Sequence, residues 1–422
     1  YEASQELSKR AALLVMQAKM PEAAEDRREL AQTIVTTMGM SKRTASQWLR
    51  THAEFVENNA IDLVAWKTLT EEELDRLNRF PQQTSREIVR DLLRWYADQL
   101  HTSGQIDEAT IVMRQTLGLL EGKREQVLDA VDWLRERERW ALVPEAEERF
   151  PDTFKSSPLL LYRLADALAR LGRDTESERA ANLALQAVNP EARDHLVMGV
   201  NLQHDGLFDC AEKEYRHVIS TAEQDPSVAV SASFFLSEML HETGKHQSGA
   251  AVLQELIDSM HGNEEIRKVT EVDYGRPEAG IRSRMYFFLA RHHAELKEFA
   301  KERELLEQGY AVDPQDADVL IAMYRLPDKD EPYQTEVRKR VASAAAAFRK
   351  EIEELDKRLP MMKSSDRIAL EADLATANNQ FAWLVSNTEG DFDEAVRCSL
   401  RSLDLRPDAA GYYDTLGRCY YA

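Results

Sequence analysis

Apolar side chains recur every three or four residues along most of this chain, which is the spacing of an amphipathic α-helix. Residues 192–225 show the pattern twice, with Leu202 on the apolar face of a first helix and Tyr215 and Val218 on that of a second. Gly206 lies between the two faces, where a left-handed residue can end the first helix. The stretch therefore predicts two antiparallel helices joined by a tight turn.

The turn of this hairpin has its own pattern. We expect Phe208 to fill the turn and the small Ala211 to let the second helix approach the first closely. Similar turns follow Gly104, Gly172 and Gly390. Gly104 and Gly172 lie 68 residues apart, and Gly172 and Gly206 lie 34 apart. A period of this size indicates stacked helical units that bury their apolar faces against one another.

These features resemble the tetratricopeptide repeat, which has an aromatic residue, Leu-Gly and Tyr on its first helix and small residues on its second. The clearest copy has Tyr413, Leu416, Gly417 and Tyr420 at those first-helix positions. Weaker copies occupy residues 124–157, 158–191, 192–225, 230–263 and 283–316, the last with Lys297 where glycine is usual. The resemblance implies an all-α fold, a right-handed α-α superhelical solenoid of stacked helical hairpins.

The position of the repeat divides the chain into four predicted regions. They are a helical cap or set of diverged repeats at 1–89, a repeat array at 90–316, an irregular segment with a long helical hairpin at 317–375, and further repeats at 376–422. Within the first region, Thr70 and Thr84 each begin a Thr-x-x-Glu capping box, which predicts two helix starts.

The long hairpin consists of a predicted helix over 335–359 and a second over about 366–386. Pro360 should end the first helix. The pair could be a dimerisation surface or an arm packed on the array, and we favour packing. The last repeat copy stops within its first helix, so we expect Tyr413, Tyr420 and Tyr421 to be exposed and the natural chain to continue.

Composition excludes some functions. Apolar residues make up 43% of the chain and charged residues 31%, as in a folded protein. The net charge of −21 disfavours nucleic acid and anionic membranes and would attract a basic partner. The basic stretch 41–50 imitates a DNA-recognition helix, but the acidity of the chain makes an ordinary helix, with Trp48 in the core, the better interpretation. No apolar run approaches the ~20 residues that span a membrane.

The three cysteines, Cys210, Cys398 and Cys419, are widely spaced, so we expect buried free thiols rather than a disulfide framework. Such thiols suit a reducing compartment, and a cytoplasmic location is favoured. The sequence begins at Tyr1 rather than at Met, so it leaves open whether an export signal precedes Tyr1. The oligomeric state cannot be deduced from the sequence.

Motifs for catalysis are missing from the sequence. His241 and His246 are five residues apart with Gly244 between them, whereas the zinc-protease motif needs two histidines four apart on one helix. There is no phosphate-binding glycine loop and no Gly-x-Ser-x-Gly elbow. We expect no enzymatic activity, no cofactor and no metal. The alternative is a regulatory or substrate-recruiting arm of an enzyme whose catalytic domain lies outside this chain.

The resemblance also implies a function, because the first helices of tetratricopeptide repeats line a concave groove that holds a protein or peptide. The matching positions here are Tyr162, Arg193, Gln203, Phe234, Glu238, His241, Arg284, Phe287 and Arg291. Phe234 and Phe287 could anchor a partner or pack against neighbouring helices, and the sequence leaves both interpretations open. In one branch of the family, Lys and Asn at fixed groove positions clamp the carboxylate of a chaperone's C-terminal tail. This sequence has neither residue at the matching positions. The sequence thus predicts a protein-interaction scaffold.

Overall fold

A computed structural model describes residues 63–189, 191–222, 225–327, 330–362 and 364–422. Every regular element within these ranges is helical, so the all-α prediction is confirmed. The chain divides into two compact units, Tyr1–Val188 and Asn189–Ala422. The superhelical path and the four-region division stay predictions. The basic stretch 41–50, with Trp48, lies outside the described residues.

The first unit is a series of short antiparallel helices. Its described helices are α1 Leu63–Arg79, α2 Arg86–Thr102, α3 Ile106–Gly118, α4 Arg124–Glu136, α5 Leu142–Arg149, α6 Pro151–Lys155, α7 Pro158–Arg170 and α8 Asp174–Ala187. Helix α2 packs on α3, and α7 packs on α8. Trp66, Trp133 and Phe154 are almost fully buried between these helices.

The second unit repeats the hairpin and contains the longest described helices, Glu331–Arg358 and Ser364–Asn387. It contains α9 Ala192–His204, α10 Phe208–Thr221, α11 Pro226–Glu242, α12 His246–Gly262, α13 Glu264–Lys268, a π-helical turn Val269–Asp273, α14 Glu278–Glu295, α15 Phe299–Val312, α16 Ala317–Arg325, α17 Glu331–Arg358, a 3₁₀ turn Leu359–Met361, α18 Ser364–Asn387, α19 Phe392–Leu405 and α20 Ala410–Tyr421. Consecutive hairpins are α9–α10, α11–α12, α14–α15 and α18–α19, and α12 also packs on α14. None of the described helices is both long and apolar enough to cross a membrane.

Left-handed residues end the first helix of several hairpins. Gly206 has a φ of 74° and Gly244 a φ of 80°. The N–H of Leu207 donates to the carbonyl of Leu202 at 2.8 Å, which is the hydrogen bond of a Schellman cap. Lys297 takes the same place with a φ of 61°. The prediction that Lys297 stands where glycine is usual is confirmed.

Small residues set the distance between the two helices of a hairpin. Ala211 is fully buried between α9 and α10, as predicted. At Gly249 of α12, a Cβ atom would lie 2.7 Å from the carbonyl oxygen of Ser237 and 3.2 Å from the ring of Phe288. Since Cβ atoms are not tolerated at 2.7 Å from backbone, α12 can approach α11 this closely only with glycine at 249.

Two details of the turns differ from prediction. Phe208 is 41% exposed, whereas Leu207 is 5% exposed and fills the turn. The reason is the Schellman cap, because the residue after the left-handed position packs back onto the last turn of the helix. At Gly390 the φ is 143°, so this turn has another geometry. There the side chain of Asp391 caps α19 by accepting from the N–H of Glu394 at 2.9 Å.

The two predicted capping boxes also fail in detail. Thr70 lies inside α1, where its hydroxyl donates to the carbonyl of Trp66 at 3.0 Å, because the apolar pattern around Trp66 continues through it. Helix α2 begins at Arg86, close to the predicted start. However, the buried hydroxyl of Thr84 has no hydrogen-bond partner among the described residues, so it does not cap that helix.

The long hairpin is formed by α17 and α18, which pack on each other and on α16. Val337, Val341 and Phe348 of α17 are buried in the core of the second unit, together with Phe381 of α18. Helix α18 further packs on α19 and α20. The interpretation that this hairpin packs on its neighbours is confirmed, and dimerisation through its outer face is untested.

Candidate binding surface

Helical spacing brings the predicted residues of the second unit onto one face of each first helix. Phe234, Glu238 and His241 follow one another at four and three residues on α11, and Arg284, Phe287 and Arg291 do so at three and four residues on α14. Together with the residues of α16 and α18 that contact them, they form a surface that we call the first-helix surface.

Arg284 joins three helices of this surface. Its guanidinium makes a bidentate pair with Glu238, with nitrogen–oxygen distances of 2.9 and 2.7 Å. The remaining terminal nitrogen bonds Asp318 of α16. Asp318 in turn accepts the indole N–H of Trp383 on α18 at 2.8 Å. Helix α16 packs on α17 and is the first helix of that pair. These half-buried groups therefore form one chain of hydrogen bonds across the first helices α11, α14, α16 and α18.

Phenylalanine rings lie under this chain of charges. The guanidinium of Arg284 is 5.2 Å from the ring centroid of Phe287 and 4.9 Å from that of Phe288. Burial of the guanidinium by itself lowers its pKa, but the hydrogen bond to Glu238 and the charges of Glu238 and Asp318 raise the pKa of Arg284 above its ordinary value. Arg284 is thus a permanent cation in a fixed orientation, as a preorganised binding group requires.

His241 extends the aromatic part of the surface. Its ring stacks on Phe288 with centroids 4.0 Å apart. Burial, with the charges of Arg284, His246 and Arg291, lowers the pKa of His241 to about 3. The imidazole is therefore neutral at physiological pH and acts as an apolar ring with one hydrogen-bond donor.

His241 also contacts His246, although their spacing of five residues does not predict this contact. Their Nδ1 atoms are 3.0 Å apart, because the Gly244 turn folds α12 back onto α11. The other ring nitrogen of His246 is 3.0 Å from a carboxylate oxygen of Glu295. Within the described ranges, no group of three or more His, Cys, Asp and Glu side chains is arranged to hold a metal ion.

Phe234 and Phe287 agree in part with both interpretations, as anchors for a partner and as rings packed against neighbouring helices. Both rings pack at the edge of the core around Phe288, and both remain partly accessible. Tyr274 lies in the segment between α12 and α14, and its ring centroid is 6.2 Å from that of Phe234. The Tyr274 hydroxyl bonds Ser231 and Ser227 on the same face of α11.

The remaining predicted residues differ in accessibility. Arg193 is exposed on α9, and Gln203 of the same helix is partly buried and accepts from the hydroxyl of Tyr215 at 2.7 Å. Tyr162, in the first unit, is fully buried and offers no surface to a ligand. We therefore omit Tyr162 from the candidate surface.

Sequence reasoning missed Asp318, Arg325 and Trp383, which also belong to this surface. Helix α16 lies in the segment 317–375, which lacks the repeat pattern, so the pattern does not assign its polar positions to the surface. The first unit contains a parallel arrangement in which the indole N–H of Trp133 donates to Asp98 at 2.8 Å. The sequence pattern that predicts this contact is therefore an Asp on one first helix followed by a Trp on the next first helix. Asp318 and Trp383 fit that pattern.

The cysteines agree with the predicted free thiols. Cys210 and Cys419 are buried and Cys398 is partly buried, and none of them forms a disulfide. Burial, followed by the charge of Glu394, raises the pKa of the Cys398 thiol to about 11. The thiol is consequently protonated at physiological pH and weakly reactive.

The described hairpins are tetratricopeptide-like. Four of them overlap the predicted units 158–191, 192–225, 230–263 and 283–316, each with two antiparallel helices, and the last two begin four or five residues before the predicted start. The small residues Ala211 and Gly249 lie at the close contacts of two of these hairpins. No protein-family model and no curated protein matches the sequence.

Solved structures do match the chain, at low identity. The C-terminal part of a TPR repeat-containing protein from Cytophaga hutchinsonii is 15% identical, over 68% of this chain and 99% of that one, with a TM-score of 0.25. Naa15/Naa10 bound to HypK-THB is 12% identical over 84% of this chain and 58% of that one, with a TM-score of 0.28. The APC/C hetero-tetramer Cut9-Hcn1 is 14% identical over 99% and 94%, with a TM-score of 0.23.

Proposed function

We propose that the chain is a protein-interaction scaffold whose first-helix surface binds an extended or helical peptide segment of a partner protein. The observation that carries the proposal is the position of Arg284, held by Glu238 and Asp318 above Phe287. Aromatic and arginine side chains fixed at a partly desolvated centre are typical of the residues that dominate protein interfaces.

The rigidity of the surface supports this function. All of its side chains project from helices, and several are fixed by hydrogen bonds to a neighbouring helix. Such a surface loses little conformational entropy when a partner binds, so more of the contact energy appears as affinity. The accessible parts of Phe234 and Phe287 would supply apolar contacts on either side of Glu238 and Arg284.

The proposal can be tested with peptides selected from a random display library on the full chain. We expect Phe287→Ala to raise the Kd of the selected peptides about tenfold, since a hot-spot aromatic contributes more than about 1 kcal/mol. Phe299→Ala is the matched control, because Phe299 is a 46% exposed ring on the second helix α15. Affinity should be measured by fluorescence anisotropy, and retained folding by circular dichroism.

The proposal fails if no peptide is enriched, or if the enriched peptides bind Phe234→Ala and Phe287→Ala as well as the unchanged chain. A loss of affinity in Phe299→Ala comparable to that in Phe287→Ala would also contradict it, because binding would then involve the opposite side of the hairpin.

A further inference from the structure

Three arginines lie beside the chain of hydrogen bonds that has Arg284 at its centre. Arg291 follows Arg284 by seven residues on α14, and Arg325 follows Asp318 by seven residues on α16. Seven residues are two helical turns, or about 10 Å along the axis. Arg284 and Asp318 are in contact, and Arg291 is close enough to Arg325 for its charge to lower the pKa of Arg325.

Asn387 continues this second row onto α18. It follows Trp383 by one helical turn, and its Oδ1 accepts hydrogen bonds from Arg325 and, at 3.1 Å, from Nε of Arg418 on α20. One neutral amide oxygen thus holds two guanidinium groups together. We call Arg291, Arg325 and Arg418 the arginine row.

The charges of the arginine row are not neutralised as that of Arg284 is. None of the three makes an ion pair with a carboxylate in the described part of the chain, whereas Arg284 has two. Burial lowers the pKa of Arg325, and the positive charges of Arg418 and Arg291 lower it further. Burial raises the pKa of the nearby Glu302 carboxyl, and the charge of Arg291 opposes this shift.

Helix ends alone do not explain the arrangement. A basic residue in the last turn of a helix is stabilised by the helix dipole, and Arg325 and Arg418 occupy last turns. That effect accounts for each arginine separately. It does not account for guanidinium groups gathered around one amide in a chain of net charge −21.

We propose that the arginine row binds the side-chain carboxylates of an acidic peptide segment in the partner protein. The assignment rests on the proposed function and specifies its partner, in place of the basic partner expected from net charge. Packed helices lie about 8–10 Å apart, so guanidiniums on neighbouring helices match carboxylates two or three residues apart in an extended strand of about 3.3 Å per residue. Bidentate pairing of arginine with carboxylate favours this ligand.

Nucleic acid fits the same surface poorly. Glu238 and Asp318 lie in the adjacent row and would repel phosphates there, and the chain as a whole is strongly acidic. A peptide can combine acidic residues over the arginine row with apolar residues over Phe234 and Phe287. A continuous phosphate backbone cannot avoid the acidic groups in this way.

The test uses the peptides selected on the full chain, grouped by acidic content, in anisotropy titrations at two salt concentrations. We expect the selected set to be enriched in Asp and Glu, and Arg325→Glu combined with Arg291→Glu to raise the Kd of acidic peptides at least tenfold. The matched control is Arg397→Glu, because Arg397 is an exposed arginine of the second helix α19. The double variant should bind neutral selected peptides unchanged.

Each outcome decides a different claim. If the peptides that lose affinity with Phe287→Ala are not enriched in Asp and Glu, or if acidic peptides bind the double variant normally, the acidic ligand is overturned and the proposed function stays intact. If no peptide binds, both proposals fail. A 20-nucleotide single strand that displaces the peptide at low salt and depends on Arg325 would also overturn the acidic-peptide assignment.

Discussion

Trp383 donates its indole N–H to Oδ1 of Asp318 at 2.8 Å, and Trp133 makes the same bond to Asp98 at the same distance. Both bonds join one first helix to the next. In the second unit, Asp318 also holds Arg284, so Trp383 fixes a carboxylate that orients the centre of the first-helix surface.

This relationship predicts the effect of Trp383→Phe. Loss of a hydrogen bond to a carboxylate should lower the free energy of unfolding by about 1–2 kcal/mol. The measurement is urea denaturation followed by circular dichroism, with Asp318→Ala and the double variant completing a cycle. If the two single changes are additive within about 0.3 kcal/mol, the bond does not contribute as described.

Lys297→Gly should stabilise the protein. The residue has a φ of 61°, a conformation that costs a residue with a side chain about 1–2 kcal/mol and costs glycine little. We expect the midpoint of thermal unfolding to rise, by an amount corresponding to about 0.5–1 kcal/mol. Lys297→Ala is the control, because it removes the side chain but keeps the strain. A similar gain in both variants would show that the backbone is not the cause.

Gly249→Ala should destabilise the second unit. The new methyl group would lie 2.7 Å from the carbonyl oxygen of Ser237, so α12 must move away from α11. Overpacking of this kind costs about 1–3 kcal/mol, more than the ~1 kcal/mol gained by replacing glycine in a helix. Gly417→Ala is the matched helical control, since nothing lies within 4 Å of a Cβ there. Equal unfolding midpoints for the two variants would refute the close contact.

His241 should make stability depend on pH. Its pKa is about 3 in the folded chain and about 6.5 when unfolded. Between these values the unfolded chain binds a proton that the folded chain does not, so stability falls as pH decreases from about 6.5 towards 3. His241→Gln should reduce this slope, measured by urea denaturation at several pH values.

His204→Gln is the control for the pH measurement, because the His204 side chain is 89% exposed. The free energy of unfolding of His204→Gln should depend on pH as steeply as that of the unchanged chain. An unchanged slope in His241→Gln would mean that the imidazole is accessible and titrates normally in the folded state.

The sequence predicted the helical hairpins because their determinants are local. Apolar spacing, the left-handed position at Gly206 or Lys297 and the small residue at Gly249 all act within one unit of the repeat. The filling of the turn by Leu207 rather than Phe208 was missed, although it follows from the same Schellman cap. The Thr70 capping box failed because a short motif can also occur inside a longer helix.

The surface was less predictable because it depends on contacts between repeats. The positions of Phe234, Glu238 and Arg284 follow from the repeat pattern, but their hydrogen bonding through Asp318 to Trp383 joins residues far apart in sequence. The same holds for Asn387, which gathers Arg325 and Arg418 from two other helices. Net charge averages over the whole chain, so it does not reveal a local group of arginines such as the arginine row.

Photo-cross-linking would show which helices a bound peptide contacts. A selected peptide with benzoylphenylalanine in place of its apolar anchor would be irradiated with the full chain, and the attached segments identified by mass spectrometry. We predict cross-links to α11, α14 and α16 that decrease when unlabelled peptide is added in excess. Cross-links confined to the second helices α12, α15 and α19 would contradict it.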